Sequence, residues 1–373
     1  MTTATSLYQQ RLNDVRAHMQ QQEIAAILIT NPTNRQYISG FSGTAGSLLV
    51  TPTTALLFTD FRYHTQAPRQ APAFTLHTIS HEKPLSKQLP ALVAELGLTT
   101  LCFEAEHWTV AYHETMQDSF ATYTQEHHHH TALLPTKGVV EAMRERKYAD
   151  ELAIIRQAVA ITDETLAAVV PHLQPDHTER QVAWLLERTM RERGADGVAF
   201  PIIVAAGTNA AMPHAQPGDS PLGSGQPVII DMGATYRHYH ADLTRTIVLG
   251  AADERFWNVY QTVLAAQEHA LATIRPGLSG HDADMLARTS ITDAGQGEYF
   301  GHGLGHGVGL DIHEGPRLGS QSEHTLQAGS VFSVEPGIYL PEWGGVRIED
   351  LVVLHEDGCE VLSQASKEPV QPR

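Results

Sequence analysis

PVIIDMGATYRHYHADLTRTIVLG, residues 227–250, decides how the rest of the chain is read. Val228, Ile229 and Ile230 form an apolar run of the kind that buried strands carry. The run delivers Asp231, and Met232-Gly233 allows a sharp change of direction. A second strand-like run, from about Tyr236 to Val248, carries Asp242. Asp231 and Asp242 lie 11 positions apart, a spacing that suits two neighbouring strands bringing both carboxylates to one spot. Buried carboxylates held together repel each other unless a proton or a cation lies between them. Three further segments hold what such a cation needs: His306 in GHGLGHGVGL, Glu335 in FSVEPGIY and Glu349 in VRIED. An oxygen-rich set with one imidazole suits hard or borderline divalent ions, and shared carboxylates can bridge two of them roughly 3.5–4 Å apart.

Each piece alone has an ordinary use. Asp231 near Gly233 is also turn chemistry, Asp242 can pair with Arg245, and Glu349 can be a surface carboxylate. Their weight comes from occurring together beside apolar strands, where unpaired charge is costly. The segment GHGLGHGVGLDIHEGP adds His302 and His313, with five glycines between 301 and 309 that no stable helix would choose.

The 373 residues suffice for two domains of ordinary size, and 42% hydrophobic with 18% charged residues describes a soluble globular chain. A net charge of -17 argues against nucleic acid or an anionic membrane surface as partner. Cys102 and Cys359 are the only cysteines, which excludes a disulfide scaffold or a cysteine zinc site. The opening stretch has no signal-type apolar segment, and no run approaches the roughly 18 apolar residues of a membrane span. A cytoplasmic location is expected.

Residues 1–135 alternate strand-like runs (25–30, 46–50, 54–60, 74–79, TLCFE) with helix-like stretches, the pattern of an α/β layer domain. FSGTAGSLLV lacks a phosphate-loop ending, so its glycines are read as turns, and His127–His130 as a solvated loop. A polar stretch from about Thr131 to Lys147 marks the boundary to a second domain, 136–373. There, helices are predicted at about 149–170, 178–193, 253–274 and 279–294, with Thr178 and Gln181 forming a capping box. Strands are predicted at 200–207, 331–339 and 345–354. The result is a loosely repeating strand-helix-helix-strand arrangement.

Taken together, DMGATYRHYHADLTRT, GHGLGHGVGLDIHE, SVEPGIY and VRIED resemble the signature of metallopeptidases with the pita-bread fold. That group comprises Xaa-Pro aminopeptidase (aminopeptidase P), prolidase and methionine aminopeptidase, with creatinase as a metal-free relative. NPTNRQYISGFSGTAG and FTDFRYHTQA resemble the N-terminal domain of the proline-specific branch. The resemblance implies a mixed α/β (α+β) chain: an N-terminal creatinase-like domain followed by a C-terminal pita-bread catalytic domain. It implies two divalent ions, manganese first and cobalt, zinc or iron as alternatives. Asp231 would bind one metal, Asp242 and Glu349 would bridge the pair, and His306 and Glu335 would bind the other.

By the same resemblance Glu335 takes a proton from the attacking water, while His302 and His313 contact substrate and stabilise the tetrahedral intermediate. His214 would lie beside the scissile bond. Arg347 would order the site or hold a substrate carboxylate, and Tyr339 would face substrate. The implied reaction is hydrolysis of the bond between an N-terminal residue and a following proline, by a homodimer. Within the family the expectation is an aminopeptidase P-like enzyme, which also trims longer chains; the alternative is a prolidase restricted to Xaa-Pro dipeptides. A non-catalytic binding protein on the same fold would need no pair of ions. A creatinase-type amidinohydrolase would keep its activity under chelation.

Overall fold

The computed structural model describes residues 4–371, with side chains from 7 to 370. It divides into two compact units, Met1–Met143 and Arg144–Arg373. The sequence placed the boundary at 135/136. In the structure strand Ala132–Thr136 pairs in parallel with Thr100–Glu104, and Glu141 accepts a 2.5 Å hydrogen bond from Asn34, which keeps this stretch with the first unit.

The first unit is built on a six-stranded mixed sheet. Its order is Thr75–Thr78, Ala55–Thr59, Ser47–Val50, Ile27–Ile29, Thr100–Glu104, Ala132–Thr136. Helix Pro32–Ser39 starts where the Asn31 side chain accepts from the amides of Thr33 and Asn34, and it stops at Gly40 in the left-handed region, φ 79°. The glycine-rich turn that follows is pinned by Arg35, whose guanidinium donates to the carbonyls of Gly43 and Gly46. The four histidines are largely the solvated loop expected: His127 ends helix Val110–His127, His128–His130 are irregular, and only His129 is half-buried, its Nε2 2.9 Å from the Leu98 carbonyl.

The second unit has two helix pairs, each covering its own core. Ala149–Val169 and Glu179–Glu192 pack through Ile161, Leu166, Val182 and Leu186 against Val228, Ile230 and Ile247. Glu254–Thr273 and Gly280–Asp293 pack through Val259, Val263, Ala283 and Ala287 against Phe332, Val334, Ile348 and Val352. The capping box at Thr178 forms as expected, with bonds of 3.3 and 2.9 Å to Gln181.

One sheet of this unit runs Val370–Gln371, Leu243–Leu249, Val228–Met232, Ile203–Ala206. The other runs Glu314–Leu318, Gly305–Gly307, Val331–Val334, Asp350–His355, Gly358–Val361. Every residue of Val228–Met232 and Leu243–Leu249 is buried, as strands covered on both faces must be.

The long strands expected from the sequence are interrupted. The run from Tyr236 to Val248 breaks into Tyr239–His240 and Leu243–Leu249, and Asp242 lies in the gap. Likewise 331–339 divides at Glu335 into Val331–Val334 and Gly337–Leu340, and 345–354 divides at Glu349 into Gly344–Arg347 and Asp350–His355. In each case the halves belong to different sheets. Apolar content continues across the break, so hydrophobic patterning alone could not reveal it.

Gly233 stands between Val228–Met232 and Ala234–Tyr236, where a Cβ would lie 1.9 Å from the Ala241 carbonyl oxygen. That oxygen belongs to backbone and cannot turn aside. Gly233→Ala is expected to lower stability by about 1–3 kcal/mol or more, read as a reduced urea midpoint. An unchanged midpoint would contradict this close approach.

Candidate metal centre

Asp231 sits on the strand Val228–Met232 directly opposite Thr244, and the chain break just before Leu243 swings Asp242 to the same place. Glu349 enters from the gap before Asp350–His355, its amide bonded to the Thr244 carbonyl at 3.1 Å. Oxygens of Asp231, Asp242 and Glu349 all lie within 4.8 Å of one another. His306, on strand Gly305–Gly307, points Nε2 at Asp242 (3.6 Å) and at Glu335 (3.4 Å). The five residues singled out as metal ligands thus line one cleft of about 1230 Å³. His214, His302, His313, Tyr339 and Arg347 line the same cleft.

The electrostatics show what the group lacks. Burial, then the neighbouring carboxylate Glu349, pushes the Asp242 carboxyl well above the usual carboxylate range. Burial and then Glu335 do the same to Glu349, and burial raises Glu335. Among the described residues one guanidinium is bonded to the four acidic side chains: Arg347 donates from Nη2 to Asp231 Oδ2 at 2.6 Å. The other oxygen of Asp231, Oδ1, is buried with no hydrogen-bond partner. An orphaned carboxylate oxygen in a nest of carboxylates is what a cation's first contact looks like before the cation is added.

His306 supports the same fit. Its Nδ1 lies 3.1 Å from the Gly307 carbonyl, which can only accept, so the proton sits on Nδ1. Burial lowers its pKa, keeping the ring neutral and its Nε2 lone pair free. A lone pair aimed at two carboxylates is repulsive unless a positive ion lies between them. The donor set fits divalent metal.

The surrounding residues hold the ligands still. The Thr244 hydroxyl donates to Glu349 Oε2 (2.6 Å) and accepts from Arg347 Nε (3.1 Å). Ser333 Oγ donates to Glu335 Oε1 at 3.0 Å. Arg347 Nη1 donates to the Tyr339 hydroxyl (2.8 Å) and reaches the Pro213 carbonyl (3.4 Å), one residue before His214. Burial pushes the Tyr339 phenol up to about 12. His302 is neutral, its pKa lowered by burial; Nδ1 donates to the Gly303 carbonyl (2.8 Å), so Nε2 accepts from the Tyr339 hydroxyl (2.9 Å).

Arg245 does not pair with Asp242. It is buried against Asp350 at 2.7 Å and donates to the Glu349 carbonyl at 2.5 Å, so it supports the ligand segment from behind.

Sequence reading missed Arg317. It faces His306 across antiparallel strands, which places the two side chains on one face of the sheet. It lines the cleft, and no ion pair engages its guanidinium among the described residues. Its signal was present as an arginine four residues after His313 in HEGPR.

A cleft floored by four carboxylates and one imidazole, set between two helix-covered sheets, defines a metallohydrolase. Residues 153–356 match the model of metallopeptidase family M24, and residues 11–146 match the creatinase/prolidase N-terminal domain. The Xaa-Pro dipeptidase of Pyrococcus horikoshii is 34% identical over 94% of this chain and 95% of its own. A solved Xaa-Pro dipeptidase from Bacillus anthracis superposes with a TM-score of 0.92 at 35% identity, covering 98% of this chain and 100% of that one. An X-Pro aminopeptidase from Thermotoga maritima gives 0.85 at 35% identity, covering 95% and 99%. The chain belongs to metallopeptidase family M24, on its Xaa-Pro peptidase branch, with the pita-bread fold and the divalent-metal chemistry that the family implies.

Thr244→Val removes the one hydroxyl that ties Glu349 to Arg347 and keeps the side-chain volume. Activity or metal affinity should fall by about 10- to 100-fold, read by elemental analysis after dialysis and by peptide turnover. Wild-type metal retention and turnover would mean that Glu349 needs no such support.

Proposed function

We propose that this protein is a dinuclear-metal peptidase that cleaves Xaa-Pro dipeptides between the first residue and proline. The observation that carries the dipeptide reading is Arg317, a cation with no ion pair among the described residues, beside His306 in the cleft. A dipeptide presents its terminal carboxylate one residue past the scissile bond, and a guanidinium recognises a carboxylate bidentately. The donors of Arg347 are taken by Asp231, Tyr339 and Thr244, which suits it to ordering the site. The names of the relatives from P. horikoshii and B. anthracis favour the dipeptidase over the broader aminopeptidase that the sequence motifs suggested.

In this reading Asp231, Asp242, His306, Glu335 and Glu349 would hold the ions, Asp242 and Glu349 serving as shared ligands. The ions supply Lewis-acid activation of water and of the scissile carbonyl. Glu335 accepts the water proton and passes it to the proline nitrogen. His313 and His214 lie on the cleft wall, where an imidazole N–H can reach a substrate oxygen. His302 acts through Tyr339, because its Nε2 accepts the phenolic hydrogen and has none to donate. We further propose manganese as the resident metal, a homodimer and a cytoplasmic setting. The carboxylate-rich donor set and the two unbridged cysteines support the first and the last.

Chelated enzyme should be inactive on an Xaa-Pro dipeptide and recover with added manganese; activity surviving chelation would favour amidinohydrolase-type, metal-free chemistry. Asp242→Ala should abolish turnover in a folded chain. Arg317→Gln should raise KM for the dipeptide about 10- to 100-fold, the range for losing a charge-assisted bond of about 1.5–3 kcal/mol. The same variant should barely change KM for the C-terminally amidated dipeptide. Equal losses on both substrates would remove the carboxylate role.

A further inference from the structure

Three of the histidines that line the cleft are fixed in different ways. His302 is held at both ring nitrogens, by Tyr339 and the Gly303 carbonyl. His306 is held by the Gly307 carbonyl and faces the carboxylates. The imidazole of His313 makes no hydrogen bond among the described residues; its one ring contact is the edge of His306 at 4.3 Å. Its aim is therefore set by the backbone turn that carries it.

That turn is clamped from the start of the second unit. Asp311 and Glu314 flank His313, and Arg144 Nη2 donates to both, at 2.6 and 2.5 Å. Lys147 Nζ donates to the other oxygen of Glu314 at 2.6 Å. Arg144, Lys147 and Glu314 are almost wholly buried, with side-chain exposures of 3, 1 and 6%. Buried ion pairs give little net stability against apolar replacements, so one kept here calls for a use other than folding. The turn is closed further by the Gly309 amide, which donates to the Asp311 carbonyl at 3.0 Å. A Cβ on Gly309 would strike the Glu314 carboxylate at 2.3 Å, so loop and clamp are fitted to each other.

We propose that Arg144 and Lys147 are positioning residues for His313: by gripping Asp311 and Glu314 they hold a cleft histidine that has no hydrogen bond of its own among the described residues. The inference rests on the reading of His313 as a substrate-side group. It adds that residues more than 160 positions earlier in the chain set the geometry of the reaction.

A double-mutant cycle on the manganese-loaded enzyme tests it, with Lys147→Met, His313→Ala and the pair, assayed on an Xaa-Pro dipeptide. Thermal unfolding and bound metal per chain are read alongside. Lys147→Met should cost about 10- to 100-fold in kcat/KM at unchanged metal content, and Lys147→Arg should restore most of it. On the His313→Ala background Lys147→Met should cost nothing further, because a residue acting through His313 has nothing left to position. Losses that multiply in the double variant would overturn the inference and leave the role of His313 standing. Wild-type activity in His313→Ala would remove that role and the inference with it. Should Lys147→Met fail to fold, Glu314→Gln, which keeps shape and loses charge, takes its place in the same cycle.

Discussion

Four carboxylates and one neutral imidazole converge in a place that water barely reaches, and the catalytic unit is arranged around that crowding. Burying even one unpaired carboxylate costs several kcal/mol. Folding cannot recover this from the site itself, where among the described residues Arg347 is the one guanidinium bonded to these carboxylates and satisfies one oxygen of Asp231. The two helix-covered cores supply the compensating burial, and a divalent ion of the kind the family implies would remove the remaining repulsion. The same imbalance that makes the site expensive in the bare chain makes it a strong cation trap.

Backbone breaks are the device that permits such crowding. A continuous strand alternates its side chains between faces and cannot turn a residue towards a second sheet. Asp242, Glu335 and Glu349 each occupy a gap where the chain leaves one sheet for another. The cut ends are joined by Thr244, Thr246, Arg245 and Arg347, whose hydrogen bonds run between the sheets. Cations are distributed by the same logic. Arg245 and Arg347 are consumed within the frame, whereas Arg317 stands at the cleft with no ion pair among the described residues.

Much of this was legible beforehand because the chemistry is local in sequence. Asp231 and Asp242 stand beside apolar strands, His306 lies among glycines and Glu335 precedes Pro336-Gly337, so each is conspicuous within a window of ten residues. The helices of the second unit were equally visible, since an amphipathic period and a capping box at Thr178 are short-range signals. Arg317 was passed over because an arginine in a polar stretch looks like surface; only its register opposite His306 makes it a cleft residue. The strand breaks were hidden because Val, Ile and Leu continue on both sides of them.

Residue types, their short spacings and their apolar flanks pointed to the candidate ligands, and the resemblance of the motifs to a known family gave the two-domain plan and the metallopeptidase class. Tertiary structure alone decided which ring nitrogen of His302 and His306 bears the proton, that Arg245 serves Asp350 and not Asp242, and that Arg144 and Lys147 grip the turn of His313. The reason is physical. Composition and period record what a residue prefers within a few neighbours, whereas a hydrogen bond or ion pair between residues 170 apart depends on how the sheets are laid together.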